Sequence, residues 1–479
     1  MHSDQAPREI ELKFVLDGPA ARKILRHPLL ADVGCERQSQ RSVYFDTSKA
    51  RLKKKGYSLR VRQIGNKFTQ TLKTSGSHAG LFDRCEWEMP VAGLEPDTKL
   101  FSRTPNKKLQ AISGELEPVS QSDVERTSWL ISHRGSAIEL VLDTGDTSGS
   151  TRSASFHEVE IELKQGERAD LFALARILLE SAPLRLGVLT KEERGRELTR
   201  DLGHIYKASK LKFDDRMTVE QVFSQIIMSC IRHFRLNETL IRETREPEAL
   251  HQARTAMRRL RGALILFRPA IRKPGLEPLR SELRWFTRSL AAARDIDVFI
   301  AGHDDLKWTD RRKLQSARTE AYDQACAAID SQRLRTLLLD LVEWLSIGNW
   351  QKSGARDPIV DFAAGRLDFL WKKVRNSSSD LFELDDELLH RFRIRIKNLR
   401  YAVEFFQSLY GKKAGKFASR LADIQDGLGR MNDEAIGRQL IDALSLRNAD
   451  LAPQVSRVQC LLAVQKQFKA IRKAGRFWA

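Results

Sequence analysis

Residues 8–16 of the chain are REIELKFVL, and this stretch decides the fold. Successive side chains of a β-strand point to opposite faces, so Glu9, Glu11 and Lys13 share one face and the apolar residues between them share the other. Alternation that is this strict predicts a strand rather than a helix. One face of the strand is charged, and the other suits a hydrophobic core.

The same period of two recurs up to residue 164 and predicts eight strands. They lie at residues 8–16, 42–47, 57–63, 68–74, 82–91, 126–133, 137–144 and 156–164. Residues 19–27, 97–112 and 168–181 are predicted helices. We therefore expect an α+β fold, in which an eight-stranded antiparallel β-barrel with flanking helices precedes an all-α domain of two related halves.

The charged faces of these strands differ in sign. Carboxylates concentrate in the first and eighth strands, whereas Arg and Lys concentrate in the third, fourth and fifth. Solvent exposure would explain any one charged face, because such faces are usual on half-buried strands. Several together favour a closed barrel whose charged faces turn inward. That lumen would offer cations to phosphate and carboxylates to a divalent metal.

The formal net charge is +19 over 479 residues, and the excess lies in the second part. Residues 1–200 contain 32 Lys and Arg against 28 Asp and Glu, whereas the rest contains 50 against 35. From residue 218 onward apolar residues recur at three- and four-residue spacing, with breaks near 273–278, 348–358 and 377–380, which predicts helices. The polar stretch 207–215 is the predicted linker. A basic helical domain indicates a polyanionic partner.

Five cysteines, at positions 35, 85, 230, 326 and 460, are scattered without a CxxC pair. Their spacing indicates neither a zinc site nor a disulfide framework. No apolar run approaches the roughly 20 residues of a membrane span. We therefore expect a cytoplasmic protein with no membrane partner, and the sequence leaves its oligomeric state open.

Six motifs in the first part of the chain resemble, in their order, those of the CYTH family of triphosphate tunnel metalloenzymes. They are EIELK at 9–13, YFDT at 44–47, LRVR at 59–62, QTLK at 70–73, RCEWE at 84–88 and EVEIELK at 158–164. The first motif alone is a weak pattern, whereas six in order are specific. The resemblance covers residues 7–203. It implies an eight-stranded tunnel that hydrolyses inorganic triphosphate with Mg²⁺ or Mn²⁺.

The resemblance also implies roles for individual residues. The metal would be held by Glu9, Glu11, Glu160 and Glu162, with Glu86, Glu88 and Asp143 as additional candidates. Asp143 has a second interpretation as a turn residue before Gly145, since Asp is common in turns. The substrate would be bound by Lys13, Arg60, Arg62, Lys73, Arg84, Arg126 and Lys191. The residues expected to carry catalysis are Glu9, Glu11, Lys13, Lys73, Glu160 and Glu162.

We expect water, and not a protein nucleophile, to attack the phosphate. Phosphoryl transfer depends mainly on positioning and charge neutralisation, and no GxxxxGK[ST] loop occurs in the chain. The family also includes thiamine triphosphatases and adenylate cyclases, so thiamine triphosphate and ATP are alternative substrates. A non-enzymatic protein that binds polyphosphate is a further alternative.

Two helical segments repeat one spacing of basic residues, at offsets 0, 3, 7 and 10. The first has His251, Arg254, Arg258 and Arg261, and the second has His390, Arg393, Lys397 and Arg400. At about 100° per residue each set falls within an arc of about 80° and forms a single stripe. LAAARD at 290–295 and LGRMND at 428–433 are also about one repeat apart. We predict an internal duplication whose halves bring both stripes into one cationic groove.

Residues 216–475 resemble the CHAD domain, which implies that the two stripes bind polyphosphate. A solvated surface is the ordinary interpretation of a single basic face. Nucleic acid is the competing polyanionic ligand. A further alternative is that the helical domain only anchors the enzyme to polyphosphate bodies and supplies no substrate to the tunnel. Asp295 and Asp433 would either orient the basic side chains or cap helices. Aromatic residues near the stripes have a spacing typical of core rather than of base stacking, namely Trp285, Phe286, Phe405 and Phe406.

Overall fold

The structure is a computed structural model that describes residues 8–74, 79–104, 106–272, 275–303, 306–377, 380–446 and 457–478. The chain divides into two compact units. The first comprises Met1–His204 and Asp330–Gly348, and the second comprises Ile205–Ile329 and Asn349–Ala479. The first unit is built around a β-sheet, and the second is helical.

Eight strands form a closed antiparallel barrel, which confirms the predicted fold class. The order around the barrel is β1-β5-β4-β3-β2-β6-β7-β8, and β8 pairs with β1 to close it. Closure leaves one face of every strand directed into the lumen. Strands β1 to β9 are Arg8–Leu16, Cys35–Asp46, Tyr57–Ile64, Lys67–Thr74, Leu81–Val91, Glu117–His133, Ser136–Ser148, Ser153–Gln165 and the short Arg185–Leu186, which pairs with β1.

Helices accompany the barrel and build the second unit. In the barrel unit α1 to α4 are Gly18–Leu25, Arg51–Lys54, Arg168–Ser181 and Lys191–Glu197. Further along the chain α5 to α9 are Val219–Thr244, Pro247–Leu266, Leu276–Ser289, Ala291–Ala301 and Trp308–Asp330. The last described helices, α10 to α14, are Gln332–Ile347, Ile359–Arg375, Asp386–Phe405, Gln407–Leu444 and Arg457–Ala474.

The apolar faces of the strands lie outside the lumen. Leu12 and Phe14 on β1 are fully buried, as are Val159 and Ile161 on β8. Both strands pack against α3, whose bounds agree with the predicted helix at 168–181. Alternation therefore divides each strand into an outer apolar face and an inner charged face.

The predicted helix at 97–112 is wrong as a single α-helix. Two 3₁₀ helices, Thr98–Arg103 and Lys107–Glu115, occupy this part of the chain. Proline stands at position 105 in the sequence and cannot donate the backbone hydrogen bond that a continuous α-helix needs. Leu100 and Phe101 from the first 3₁₀ helix are buried in the same core as Leu59 on β3.

Helix α10 belongs to the barrel unit, although it lies within the interval 216–475 predicted as the helical domain. It packs against α3 and β9. Arg176 on α3 pairs with Asp340 at 2.5 Å and also contacts Glu343. Arg185 on β9 donates to Asp330 at 2.7 Å. The barrel unit is thus completed by a segment distant in sequence.

The five cysteines, all within the described ranges, form no disulfide. Cys230 and Cys460 are buried, and Cys35 is exposed. Within the same ranges no helix combines the length and the apolar character needed to cross a membrane.

Candidate functional site

A cavity of about 100 Å³ lies inside the barrel. Side chains from β1 to β6 and from β8 line it, together with residues of α2 and α4. The alternation of each strand turns its charged residues inward. The cavity thus brings together most of the predicted site residues, which are Glu9, Glu11, Lys13, Arg60, Arg62, Lys73, Arg84, Arg126, Glu160, Glu162 and Lys191.

Glu9 and Glu11 on β1 contact cations of neighbouring strands. Lys73 Nζ donates to Glu9 Oε2 at 2.8 Å, and Arg84 Nε donates to the same oxygen at 3.0 Å. Arg84 Nη2 donates to Glu11 Oε1 at 2.8 Å. Lys73 also pairs with Glu86 at 2.7 Å. The strand register explains these contacts, because Glu9 lies opposite Arg84 and Lys73 lies opposite Glu86.

The carboxylates around Lys73 differ in acidity. Burial would raise the pKa of Glu9, but the charges of Lys73 and Arg84 outweigh it and hold this pKa well below its ordinary value. Burial raises the pKa of Glu86 to about 7, because repulsion from Glu9 offsets the attraction of Lys73. Burial, with Arg84 and Arg60, also lowers the pKa of Lys73. Lys73 therefore loses its proton more readily than an exposed lysine, although Glu9 and Glu86 both pair with it.

A second set of ion pairs joins β1, β6, β7, β8 and α4. Asp143 accepts hydrogen bonds from Arg126 Nε at 2.8 Å and Nη2 at 2.6 Å. Lys191 Nζ lies 2.8 Å from both Asp143 and Glu160. Lys13 Nζ lies 2.9 Å from Glu160. These groups are largely buried, and their opposite charges compensate one another.

Glu158 lies beside this set, and the sequence analysis did not assign it to the site. It is fully buried, its Oε2 lies 3.0 Å from Lys191 Nζ, and Arg194 contacts its other oxygen. Burial would raise the pKa of Glu158, but Lys13, Lys191 and Arg194 hold it at about 2. Glu158 lies two residues before Glu160 and therefore on the same strand face. This two-residue spacing in the sequence was the signal that could have identified Glu158 as a site residue.

Arg60 and Arg62 on β3 carry charge that their neighbours leave underpaired. Arg60 lies 3.7 Å from Glu86, and its buried Nε has no hydrogen-bond partner among the described residues. Arg62 Nε donates to Ser42 Oγ at 3.4 Å, and Arg62 makes no ion pair within the described part of the chain. Burial, with Arg60 and Arg126, lowers the pKa of Arg62 to about 9. An anion in the lumen would relieve this repulsion.

The start of α4 fixes the position of Lys191. Thr190 and Glu193 form a capping box, in which Glu193 N donates to Thr190 Oγ1 at 3.1 Å and Thr190 N donates to Glu193 Oε2 at 3.0 Å. Gly195 allows close packing on β6, because a Cβ there would lie 2.4 Å from the Cβ of Ser120. The capping box and this close packing therefore position the helix that carries Lys191 into the barrel.

Three additional predicted candidates do not line the cavity. Glu86 lies behind the lining and contacts two of the cations that line the cavity, Lys73 and Arg60. Asp143 is fully buried in the middle of β7, so its interpretation as a turn residue is wrong. Glu88 is exposed and accepts a hydrogen bond from Thr71 Oγ1 at 2.9 Å. Some charged residues of the alternating strands therefore do not line the lumen.

The lumen offers oxygen donors to a divalent cation. Burial raises the pKa of Glu162, and repulsion from Glu9 and Glu11 adds to it, against the attraction of Lys164. Among the described residues no group of three or more His, Cys, Asp and Glu side chains has the geometry of a preformed metal site. Oxygen-only donors nevertheless match the chemistry of Mg²⁺ and Mn²⁺. The residues that would hold the ion are Glu9, Glu11, Glu160 and Glu162.

The second unit brings the two basic stripes together. Helices α6 and α12 contact each other. Burial, with Arg258, Arg393 and Arg261, lowers the pKa of Lys397 to about 8. Lys397 lies on α12, whereas Arg258 and Arg261 lie on α6, so the stripes share one electrostatic environment. They are His251, Arg254, Arg258 and Arg261 on α6, and His390, Arg393, Lys397 and Arg400 on α12.

Basic residues of α6 are crowded and underpaired. Burial lowers the pKa of Arg254 to about 10 despite the attraction of Asp295. Burial, with the charge of Arg294, lowers the pKa of His251 to about 4. Arg254 Nη1 and Arg258 Nε are buried without a hydrogen-bond partner among the described residues. A fold that gathers cations at such a cost suits an anionic ligand.

Asp295 and Asp433 lie inside α8 and α13, so their interpretation as helix caps is wrong. Burial raises the pKa of Asp295, and repulsion from Asp433 adds to it, against the attraction of Arg254. Burial likewise raises the pKa of Asp433, against the attraction of Arg393. Each repeat thus places one carboxylate near one arginine of the groove.

Three of the four aromatic residues near the stripes are core residues, as predicted. Trp285 is half-buried, and the three phenylalanines are almost completely buried. Phe234 packs edge-on against one of them, with ring centroids 5.2 Å apart. The buried rings cannot stack on exposed bases, and they are Phe286, Phe405 and Phe406.

The fold and the two sites define a class of protein with an antiparallel tunnel of facing cations and carboxylates, and with a helical unit that carries paired basic stripes. Residues 7–195 match the family model of the CYTH domain, and residues 225–442 match that of the CHAD domain. The chain therefore contains a CYTH domain followed by a CHAD domain.

Several proteins of known name or structure are similar to this chain. An inorganic triphosphatase of Haemophilus influenzae is 32% identical over 155 residues, which are 32% of this chain and 44% of that protein. The match thus spans less than half the length of this relative. The crystal structure of the CHAD domain from Ricinus communis has 26% identity and a TM-score of 0.45, covering 57% of this chain and 92% of that one.

A candidate adenylyl cyclase from Hippeastrum, described as having a dominant triphosphatase activity, has 18% identity and a TM-score of 0.31. That similarity covers 40% of this chain and 95% of the Hippeastrum chain.

Proposed function

We propose that the barrel hydrolyses inorganic triphosphate to diphosphate and phosphate with the help of Mg²⁺ or Mn²⁺. The observation that carries this proposal is the underpaired Arg60 and Arg62, which share one cavity with the carboxylates of β1 and β8. An enclosed site with surplus cations favours a polyanion, and its carboxylates supply donors for a cation that accompanies phosphate.

A ligand composed only of phosphate suits the cavity better than a nucleotide or a thiamine ester. Charged and hydroxyl-bearing side chains make up its lining, and the aromatic residues among them are Tyr44 and Tyr57. The similarity to an inorganic triphosphatase supports the same substrate. The test is product analysis by ³¹P NMR after incubation with triphosphate, with a divalent metal and with a chelator. Equal amounts of diphosphate and phosphate, formed only with metal, are expected.

The residues of the chain divide the work of the reaction. Arg60, Arg62 and Lys73 would bind and orient the phosphates and stabilise charge on the departing diphosphate. Lys13 and Lys191 stay protonated, because neighbouring carboxylates outweigh burial and raise the pKa of each. A bound divalent cation would neutralise phosphate charge and favour attack by water.

Arg60→Ala and Lys73→Ala are each expected to reduce kcat/KM for triphosphate by about a hundredfold, because each removes a charged phosphate contact in an enclosed site. Lys67→Ala is the matched control, since Lys67 is an exposed cation on the same strand as Lys73. Steady-state kinetics and the melting temperature would be measured together. A large fall in melting temperature with no kinetic defect would mean that these residues are structural.

The helical unit is proposed to bind long-chain polyphosphate in the groove between α6 and α12. Its crowded cations and the buried, unpartnered Arg254 Nη1 and Arg258 Nε support this proposal. The burial of nearby phenylalanines favours polyphosphate over single-stranded nucleic acid, which commonly stacks bases on exposed aromatic residues.

Polyphosphate binding is expected to take up protons near pH 8.5 and to weaken as pH rises through about 8. The pKa of Lys397 is lowered to about 8 by burial and by Arg258, Arg393 and Arg261, and a bound polyanion would raise it again. Below about pH 7 Lys397 is charged in both states and contributes no proton uptake. Calorimetry in buffers of different ionisation enthalpy measures the uptake. Lys397→Arg should bind without it, and uptake that persists in this variant would contradict the assignment.

A further inference from the structure

The two halves of the helical unit can be aligned by their buried residues. Leu276 and Ala414, the first aligned pair, are separated by 138 positions, and Leu290 and Leu428, the last pair, have the same separation. All members of the aligned set are buried. The first set is Leu276, Leu279, Leu283 and Phe286 on α7 with Leu290 directly after it, and the set following Gly411 on α13 is Ala414, Phe417, Leu421, Ile424 and Leu428.

This alignment shows that a basic stripe of α7 has no counterpart on α13. Arg280, Arg284 and Arg288 recur every fourth residue and form a row about 12 Å long. Arg284 and Arg288 are exposed and make no ion pair with a described residue, whereas Arg280 donates to Glu277 at 2.6 Å. The corresponding positions of α13 are Ala418, Ala422 and Asp426.

The row on α7 continues the groove. Helices α6 and α7 pack together. Burial, with Arg284, Arg280 and Arg288, lowers the pKa of Arg261. Arg261 in turn contributes to the low pKa of Lys397 on α12. Helix packing and this repulsion therefore place the row of α7 beside Arg261 of the first stripe.

The equivalent position in the second repeat has a carboxylate beside its arginine. Arg400 occupies the position in α12 that Arg261 has in α6, and these helices are 139 positions apart in the repeat. Arg400 Nε lies 3.2 Å from Glu404 Oε1, whereas the equivalent of Glu404 in α6 is Ile265. The two repeats thus differ in charge at equivalent positions, both within the stripes and beyond them.

From these positions we infer that a polyphosphate chain too long for the paired stripes continues over Arg280, Arg284 and Arg288 on α7 and not over α13. The groove then has one cationic arm, which favours long chains over short ones. The inference rests on the proposed binding of polyphosphate by the helical unit.

The test compares removal of the arm with construction of a second one in the full-length chain. Arg284→Ala with Arg288→Ala should weaken binding of long-chain polyphosphate on the order of tenfold and flatten its salt dependence. Ala422→Arg with Asp426→Arg should strengthen binding by a similar factor. Arg311→Ala with Arg312→Ala removes equal charge from exposed positions of α9 and is the matched control. Circular dichroism would verify folding of each variant.

Chain length separates an arm from diffuse attraction. A chain of a few phosphates should bind wild type and the α7 variant equally, and any binding in the tunnel is common to both. Equal weakening for short and long chains, or equal losses from α7 and from the α9 control, would overturn the arm. If the stripe variants lose binding and neither arm variant changes it, the arm is refuted, whereas binding in the groove between α6 and α12 is supported. No binding by wild type would overturn both.

Discussion

Turnover of triphosphate is expected to fall by at least about a thousandfold when Glu9 and Glu11 are both replaced by Gln, because two charged donors for a catalytic cation are lost at almost unchanged volume. Binding should respond in the opposite direction. Glu9 and Glu11 neutralise Lys73 and Arg84 in the structure, so the double variant has more uncompensated positive charge in the lumen. Triphosphate affinity in the presence of a chelator should therefore be retained or increased.

A matched control uses two exposed glutamates of the barrel strands, Glu36→Gln and Glu125→Gln, which should leave turnover unchanged. Stopped turnover together with tight binding would separate a catalytic role from a folding role, and the melting temperature provides an independent check. Near-full activity of the Glu9→Gln/Glu11→Gln variant would refute the assignment of these residues to the metal.

Alanine at His251, Arg254, Arg258 and Arg261 is expected to weaken binding of long-chain polyphosphate by about a hundredfold or more, because four clustered phosphate contacts are lost together. The fold should not suffer equally. Burial depresses the pKa values of His251 and Arg254, so the folded unit gains nothing from keeping them charged. The melting temperature of the variant is expected to stay the same or to rise.

The control set carries comparable charge at exposed positions outside the stripes, namely Lys307, Arg311, Arg312 and Lys313. Equal losses from both sets would mean diffuse attraction without a groove. Alanine at the second stripe should reproduce the effect of the first, and this set is His390, Arg393, Lys397 and Arg400. Duplex DNA that displaced polyphosphate at equal phosphate concentration would contradict the proposed specificity.

Alternation in the sequence was sufficient to predict the closed barrel, because each strand separates a charged from an apolar face. The predicted bounds of β1 agree with the structure, whereas β2 and β6 begin earlier than predicted. Their first residues are mainly polar on both faces, so pairing with neighbouring strands extends them without a hydrophobic signal. The membership of α10 in the barrel unit was also not predictable, because an apolar helical period does not identify the surface it covers.

The residues of the candidate site were predictable as a set, but their partners were not. Glu9, Arg84 and Lys73 come from different strands, and their contacts depend on the register that barrel closure imposes. Glu158 and Arg194 form a buried ion pair that a one-dimensional pattern does not contain. The surplus charge of Arg62 is likewise a property of the assembled lumen and not of its motif.

Hydrolysis of triphosphate in the tunnel is tested most directly by one substrate panel. Triphosphate, thiamine triphosphate, ATP and long-chain polyphosphate would be incubated at equal concentration with Mg²⁺ or Mn²⁺, and the products would be resolved by ³¹P NMR and chromatography. The expected result is the highest kcat/KM for triphosphate, with diphosphate and phosphate as products. Preference for ATP with cyclic AMP as product would contradict it, and so would failure to hydrolyse any of the four.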